Sequence, residues 1–258
     1  MTRVIKEDFW YWPADRYRRL HICLPDHYDE SDERYPVMYF FDGHNLFFDS
    51  DATYGKSWGL KTFLDGWNKD MIIVGMECSH EGDARLTEYC PYEKRMFGKV
   101  IHGIGDQTFS WILNDVKPEI DRRFRTWYFR EATGIAGSSM GGIMAMHGVL
   151  KYNQYFSKAA CLSAGVFHNL PHYRKVLGEA QLWDDTRIYM GWGEYEAGRA
   201  PHNGNPATDT REARSTRKFA QELNRKGIQT FVYFQPGGRH TEADWERQVP
   251  VFMNDLWF

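Results

Sequence analysis

The sequence predicts an α/β fold with a mostly parallel central sheet flanked by helices on both faces. From Arg16 onward, short apolar runs rich in β-formers alternate with longer segments of helical periodicity. That alternation is typical of parallel sheets covered on both sides. The 258 residues contain no internal repeat, low-complexity tract or linker-like segment. Because α/β folds of about 250 residues often form one unit, residues 1–258 are predicted to be a single domain.

The predicted elements follow one another in a regular order. Strands are predicted at residues 18–25, 35–43, 71–78, 133–137, 156–165, 186–193 and 228–236. Helices are predicted at residues 58–68, 106–124, 139–152, 211–227 and 241–258. The strand segments are rich in β-branched and aromatic residues, whereas the helical segments repeat apolar residues at intervals of three and four.

Capping residues set the ends of several predicted helices. Asp106 and Thr241 are typical N-cap residues, and Gly227 ends the helix before the last strand. Pro118 lies inside the pattern that starts at Asp106, and we expect a kink there because proline removes a backbone hydrogen bond. The segment at residues 79–105 reads as a long loop, and a loop of that length in a compact domain is usually functional or disordered.

The composition argues against several classes of partner. Apolar residues make up 42% of the chain and charged residues 26%, an ordinary balance for a globular protein. The 32 Lys and Arg against 35 Asp and Glu give a net charge of −3, so there is no basic surplus for nucleic acid or an anionic membrane. The 10 Trp, 15 Tyr and 17 Phe fit core packing, and a carbohydrate- or aryl-binding cleft would use the same residues.

Cysteine usage and the apolar runs indicate a soluble protein. The four cysteines are widely spaced without a C-x-x-C pair, which argues against a disulfide framework and a zinc ribbon. The longest apolar run, at residues 71–76, is far shorter than the about 20 residues that a membrane helix needs. The N-terminal residues show no secretory signal. We therefore expect a cytoplasmic protein, unless a leader has been removed.

A serine motif carries most of the functional information. Residues 137–141 read Gly-Ser-Ser-Met-Gly and satisfy G-x-S-x-G at the junction of a predicted strand and a predicted helix. Only Ser139 has a glycine two positions away on each side, which excludes Ser138. Glycines at those positions remove side chains that would collide in so sharp a turn. The turn also places Ser139 at a helix N-terminus, where the amide of Met140 can face a developing oxyanion.

A serine nucleophile needs a base, and His240 is the best candidate. In hydrolases with this kind of serine turn, the partners follow in the order Ser, then Asp or Glu, then His. His240 follows the last predicted strand, at the carboxyl edge of the sheet where catalytic groups collect. The other histidines precede the serine, lie in its helix, or come before or beside the expected acid.

The acid is expected in the loop that follows the predicted strand at residues 186–193. Glu194 and Glu196 both lie there, at the correct end of the strand. A carboxylate at this place would hold the imidazole tautomer and stabilise the imidazolium formed during attack. Since only one carboxylate can do so, the other is an exposed loop residue.

Four segments in this order resemble the esterase D and feruloyl-esterase-like branch of the α/β-hydrolases, which also contains enterochelin esterases and mycolyltransferases. The segments are YFFDGHNLF at residues 39–47, RLTEYCP at residues 85–91, GIAGSSMGG at residues 134–142 and GRHTEADW at residues 238–245. The serine turn at residues 137–141, called the serine elbow below, is shared by many hydrolases. The four segments together are specific to this branch and span most of the chain.

The resemblance implies further roles for individual residues. The Asp-Gly-His segment at residues 42–44 is similar to the family's oxyanion loop. The backbone amides of His44 and Met140 would therefore bind the oxyanion together. The family's acid tends to lie three residues after a glycine at its strand end, which favours Glu196 over Glu194. The cleft walls would come from the long loop before Asp106 and from the segment after Glu196. The candidate substrate-binding residues, each with core packing as the alternative, are Trp58, Trp192 and Tyr195.

The sequence thus predicts a serine carboxylesterase of the α/β-hydrolase fold. Its substrate would be a small-molecule or oligosaccharide ester, with feruloyl, acetyl or another short acyl group. Acyl transfer or thioester hydrolysis by the same residues is an alternative, and a non-catalytic binding module is a weaker one. No cofactor or metal is expected, because the chain has no H-E-x-x-H, no Walker loop and no G-x-G-x-x-G after a strand. The sequence specifies no oligomeric state.

Overall fold

An eight-stranded sheet runs through the computed structural model, which describes residues 1–96, 98–196 and 210–257. Its strands are β1 (Arg3–Tyr11), β2 (Arg16–Leu24), β3 (Val37–Phe41), β4 (Ile72–Met76), β7 (Thr133–Ser138), β8 (Lys158–Leu162), β9 (Arg187–Gly193) and β10 (Gln229–Gln235). A separate hairpin pairs β5 (Lys94–Met96) with β6 (Lys99–Ile101). The α-helices are α1 (Leu60–Gly66), α2 (Ala84–Glu88), α3 (Gly105–Trp111), α4 (Lys117–Arg123), α5 (Met140–Lys151), α6 (Val166–Glu179), α7 (Arg211–Asn224) and α8 (Glu242–Leu256).

The sheet has the strand order β1-β2-β4-β3-β7-β8-β9-β10. All pairs from β4 to β10 are parallel, whereas β1 and β2 add an antiparallel edge. The predicted α/β class with a mostly parallel sheet is therefore confirmed. Because parallel strands end at one edge, the residues that follow β3, β7, β8, β9 and β10 are brought together there.

Alternate residues of the central strands supply two separate cores. Along β3, Tyr39 and Phe41 belong to one core, and Met38 and Phe40 belong to the other. The first core also contains residues of α3, α5, α6 and α7, and the second contains residues of α1 and α8. Helices thus cover both faces, as the near-continuous apolar strands require. None of the helices in the described ranges has the length and apolar character needed to cross a membrane.

The structure departs from the predicted elements in several places. The predicted N-cap Asp106 is wrong, because α3 begins at Gly105 with Ile104 as its N-cap and Asp106 lies in its first turn. The N-terminal strand β1 was not predicted, because it is an edge strand whose residues alternate between half-buried and exposed. The predicted loop at residues 79–105 contains α2 and the β5–β6 hairpin. A π-helical turn at Ile112–Val116 lies just before Pro118. The irregularity expected at the proline is therefore a change of helix type that ends two residues before it.

Candidate active site

Ser139 lies on a strained turn between β7 and α5. Its backbone has φ 55° and ψ −121°, a conformation that L-residues rarely adopt. A Cβ on Gly137 would lie 2.5 Å from the carbonyl carbon of Gly141, and one on Gly142 would lie 2.4 Å from the oxygen of Leu162. Gly137 of the motif, and Gly142 directly after the motif, are therefore required by the close approach of backbone segments.

The same turn orients the start of α5. The amide of Ser139 donates to the carbonyl of Leu162 at 2.9 Å, and its own carbonyl accepts from the amide of Ile143 at 3.0 Å. Met140 is the first residue of α5, so its N–H belongs to the helix end that has no intrahelical acceptor. Such an N–H, supported by the helix dipole, can stabilise negative charge close to Ser139.

His240 and Glu196 form a hydrogen-bonded pair at the same edge of the sheet. His240 lies between β10 and α8, where the Thr241 side chain caps the helix by accepting from the amide of Asp244. Its Nδ1 lies 3.0 Å from Oε2 of Glu196. The Glu196 side chain is only 1% exposed, whereas that of His240 is 44% exposed. The ring of His240 therefore connects a buried carboxylate with an open space.

Two further donors fix the Glu196 carboxylate. Its Oε1 accepts from the hydroxyl of Ser163 at 2.7 Å and from the amide of Gly193 at 2.7 Å. Glu194 instead accepts from the amide of Gly237 at 2.7 Å, across the loop. Of the two glutamates that the sequence left open, the structure therefore places Glu196 against the histidine.

The loop after β3 packs closely against β4 through a glycine pair. A Cβ on Gly43 would lie 2.4 Å from the backbone of Gly75, so only glycine fits here. Asp42 has a positive φ of 58° and accepts two hydrogen bonds from Arg85, both at 2.7 Å. Burial opposes ionisation of Asp42, but the charge and hydrogen bonds of Arg85 hold the pKa of its carboxyl below the usual value. The ion pair therefore anchors this loop.

His44 is the buried centre of that loop. Its residue exposure is 4%, and burial lowers the pKa of its imidazole to about 4, so the ring is neutral at pH 7. Nε2 lies 3.0 Å from the hydroxyl of Thr53, whereas Nδ1 has no hydrogen-bond partner in the described part of the chain. An unpaired buried nitrogen is uncommon and requires an explanation.

A cavity of about 700 Å³ joins these elements. The described residues that line it are Asp42, His44, Asn45, Thr53, Tyr54, Lys56, Cys78, Ser79, His80, Gly82, Arg85, Ser138, Ser139, His240, Thr241, Glu242, Ala243 and Trp245. Ser139 and His240 thus face one space, with the His44 loop on its wall. The size is within the range of small-molecule sites.

The sequence analysis missed four residues of this site: Ser163, Trp245, Arg85 and Glu242. Ser163 follows β8 at the edge of the sheet where His240 also lies, and that position was the available signal. Arg85 and Trp245 lie inside the segments that carry the resemblance, but the sequence does not indicate which residues they contact. Glu242 lies beside His240, and burial raises the pKa of its carboxyl.

The predicted substrate-binding aromatics do not lie together in the cavity. Trp58 is only 2% exposed and packs in the second core against Phe40 and Trp245. The prediction of a substrate contact for Trp58 is corrected to core packing, the alternative considered for it. Trp192 and Tyr195 are also absent from the described lining, and Tyr195 is 37% exposed. The predicted cleft wall at residues 197–209 lies outside the described residues.

A second cavity of about 630 Å³ lies at the far end of α5. It contains a chain of hydrogen bonds in which Asp106 contacts His147 at 2.8 Å and His147 contacts His172 at 3.0 Å. None of its described lining residues is a serine, threonine or cysteine. We therefore assign the candidate active site to the cavity lined by Ser139, which supplies the nucleophile that the second cavity lacks among its described lining residues.

The parallel sheet, the serine elbow and the histidine–carboxylate pair at its carboxyl edge define an α/β-hydrolase. The family model described as "Putative esterase" matches residues 14–256, and the chain belongs to this family. The protein is therefore a carboxylic ester hydrolase.

Three comparisons illustrate the relationship. Esterase Rv1288 of Mycobacterium tuberculosis is 25% identical over 256 residues, covering 87% of this chain and 53% of that protein, so the chain spans about half of this relative. An IroE-like serine hydrolase from Shewanella oneidensis has a TM-score of 0.75 and 20% identity, covering 98% of this chain and 79% of the other. A ferulic acid esterase has a TM-score of 0.69 and 15% identity, covering 99% and 97%. These two structural similarities show that the chain shares the fold of both proteins.

Proposed function

We propose that the protein hydrolyses carboxylic esters through a Ser139–His240–Glu196 triad and an acyl-enzyme. The observation that carries this proposal is the hydrogen bond of 3.0 Å between His240 Nδ1 and Glu196 Oε2, in a cavity that Ser139 also lines. With Nδ1 engaged by the carboxylate, Nε2 of His240 is the nitrogen that can take the hydroxyl proton of Ser139. The buried Glu196 then stabilises the imidazolium that forms.

The oxyanion of the tetrahedral intermediate would be held by backbone amides. Met140 supplies one amide from the start of α5, and His44 supplies the other from the loop after β3. The Asp42–Arg85 ion pair and the Gly43–Gly75 contact hold that second loop in place. Donors fixed in advance stabilise developing charge without reorganising, and removal of one typically costs about 10²–10³ in kcat.

The substrate class follows from the cavity wall. Arg85, Glu242 and the hydroxyls of Thr53 and Ser79 provide polar contacts, and Trp245 provides an aromatic surface. A mixed wall of this kind suits an ester of a short or aromatic acid, such as acetate or ferulate, with a carbohydrate or a small alcohol. The resemblance to feruloyl esterases supports the same substrates. A cytoplasmic location remains a prediction of the sequence.

The test is hydrolysis of a small ester panel by the wild type and two serine variants. The panel contains p-nitrophenyl acetate, butyrate and octanoate, methyl ferulate and acetylated xylo-oligosaccharide. Ser139→Ala should lose at least about 10³-fold in kcat because it lacks the nucleophile. Ser138→Ala is the matched control, since it removes a neighbouring hydroxyl from the same turn, and it should keep turnover within about threefold of the wild type.

The panel also separates the rival functions. Turnover of ferulate or acetylated xylan that is lost in Ser139→Ala supports the carbohydrate-ester proposal. Retained turnover in that variant, with an unchanged circular dichroism spectrum, contradicts the triad. If the wild type releases product faster when a sugar alcohol is added, and an acylated sugar accumulates, the enzyme is an acyltransferase instead.

A further inference from the structure

Three histidines and a glutamate cluster beside the loop that follows β3. They are His21 on β2, His44 on the loop itself, Glu77 directly after β4, and His80 three residues further on. The proposed ester chemistry uses only the backbone of His44 and none of the other three residues. A cluster of side chains with this donor chemistry therefore needs a separate account.

The cluster has the geometry of a set of metal ligands. Glu77 contacts two histidines, with Oε1 at 2.6 Å from His21 Nε2 and Oε2 at 3.3 Å from His80 Nε2. The ring centroids of His44 and His80 are 4.5 Å apart. One ligand atom from each of His44, Glu77 and His80 lies within 4.8 Å of the other two. Small side-chain rotations would bring the three onto one ion.

We propose that His44, Glu77 and His80 bind a Zn²⁺ ion on the wall of the catalytic cavity, and that the bound ion inhibits the esterase. Two imidazoles and one carboxylate are a ligand set that zinc prefers, with the remaining position open to water or substrate. Mg²⁺ and Ca²⁺ require oxygen ligands and would bind this set poorly.

The surroundings support this assignment. His44 is buried, its Nε2 contacts the Thr53 hydroxyl, and its Nδ1 has no partner among the described residues. His21 is 1% exposed and holds the Glu77 oxygen that does not face His80. Thr53 and His21 thus occupy the places of the outer hydrogen-bonding residues that orient metal ligands in known sites.

A neighbouring set of residues is a weaker candidate for the same ion. Asp42, His44 and Cys78 also bring their ligand atoms within 4.8 Å of one another. However, both oxygens of Asp42 accept hydrogen bonds from Arg85 at 2.7 Å, so an ion there would have to break that pair. The set with Glu77 and His80 needs no such break, because it replaces only the contact of 3.3 Å between these two side chains.

Binding at this place has a consequence for catalysis, and this step rests on the proposed function. The side chains of His44 and His80 both line the cavity that contains Ser139. An ion held between them would occupy part of the substrate space beside the proposed oxyanion loop. Inhibition should therefore be competitive with the ester and should be reversed when a chelator removes the metal.

The binding experiment is calorimetric titration of metal-free protein with ZnCl₂, repeated with MgCl₂. We expect one zinc per chain and no comparable binding of Mg²⁺. His80→Ala should weaken zinc binding at least about tenfold, because even the loss of an outer residue that orients a metal ligand typically costs about 10- to 100-fold. The His80 side chain is 54% exposed, so its removal should not affect folding. His102→Ala is the matched control, because His102 is another exposed histidine paired with a glutamate.

The outcomes distinguish the site from the esterase proposal. Equal zinc affinity in His80→Ala and the wild type, with His102→Ala also unchanged, would overturn the site. If zinc binds as described but leaves p-nitrophenyl acetate turnover unaffected, the proposal that zinc inhibits the esterase is wrong. Zinc inhibition of the wild type that EDTA reverses, and that His80→Ala resists, supports the whole proposal. Absence of turnover in metal-free wild type would contradict the esterase proposal, while the titration still tests the site.

Discussion

The hydroxyl of Ser163 lies 2.7 Å from Oε1 of Glu196 and holds the carboxylate from the side opposite His240. The same hydroxyl accepts a hydrogen bond of 2.9 Å from the indole of Trp245. The Trp245 ring in turn packs edge-on against His240, with a centroid distance of 4.9 Å. Ser163 and Trp245 therefore support both members of the histidine–carboxylate pair, and Ser163 does so without being part of the described cavity lining.

The first prediction concerns Ser163 as a positioning residue. Ser163→Ala removes a hydrogen bond to a charged group, which is typically worth about 1.5–3 kcal/mol. If that energy holds the carboxylate in its catalytic orientation, kcat should fall about 10- to 100-fold while KM changes little. Steady-state kinetics with p-nitrophenyl acetate measures both parameters.

The control for this prediction is Ser157→Ala. Ser157 is a buried serine just before β8, at the opposite end of the strand that Ser163 follows. It should leave kcat within about twofold of the wild type, because the other end of the strand lies far from the sheet edge with His240. Equal losses of kcat in the two variants, or a loss in Ser163→Ala explained by a lower thermal midpoint, would contradict the positioning role.

The second prediction separates the two glutamates of the loop after β9. Glu196→Gln should lower kcat by about 10³–10⁴-fold, the loss found when a triad carboxylate is replaced by its amide. Glu194→Gln is its matched control, because the Glu194 side chain accepts a hydrogen bond from the amide of Gly237 and makes no contact with His240 in the described structure. It should keep most of the activity. The reverse order of the two effects would move the acid to Glu194.

The fold could be predicted from sequence where strands are buried on both faces. The segments at residues 35–43 and 71–78 are nearly continuous apolar runs, and both contain central strands of the sheet. Strand β1 has a mixed pattern, RVIKEDFWY, because only one of its faces is partly covered. Its place in the sheet depends on pairing with β2, which local sequence does not encode.

The site could be predicted only as far as its motifs reach. Ser139 and His240 come from a spacing rule and from chain order, and both line one cavity. The choice of Glu196 over Glu194 depends on the loop conformation, since both follow the same strand end. Ser163 contacts a residue 33 positions away, and no pattern in the sequence indicates that distance. Trp58 is the opposite case, in which the sequence predicts a substrate contact that the structure does not have. Its aromatic side chain is buried in the core.

The third prediction tests the backbone constraint at the elbow. Gly137→Ala should lower the thermal midpoint markedly, because its Cβ would lie 2.5 Å from the backbone of Gly141, which cannot move without disturbing α5. Gly178→Ala is the matched control near the end of α6, where an added Cβ meets nothing within 4 Å. It should be neutral or stabilising by up to about 1 kcal/mol, since alanine favours helix. Similar melting curves for the two variants would contradict the constraint.

The fourth prediction concerns acid stability and the carboxylate of Asp106. Its Oδ1 accepts from His147 and Tyr152 at 2.8 and 3.1 Å, and its Oδ2 accepts from Lys151 at 2.5 Å. Burial opposes ionisation, but the hydrogen bonds of His147 and Lys151 hold the pKa of Asp106 well below its usual value. A carboxyl whose pKa is lower in the folded state stabilises the protein above its unfolded pKa of about 3.9, and this contribution is lost as the pH falls through the folded value.

Asp106→Asn should therefore destabilise the protein at pH 7, and this destabilisation should shrink progressively as the pH falls below about 4 toward the folded-state pKa. The side chain is 47% exposed, so solvent screening reduces the effect to about 1 kcal/mol, which corresponds to about 2–4 °C in thermal midpoint. Melting curves between pH 3 and pH 7 measure the difference between variant and wild type. Asp32→Asn, at an exposed position, should show no such difference at either pH. A gap that is constant with pH would mean that the Asp106 carboxylate acts through its shape and not through its charge.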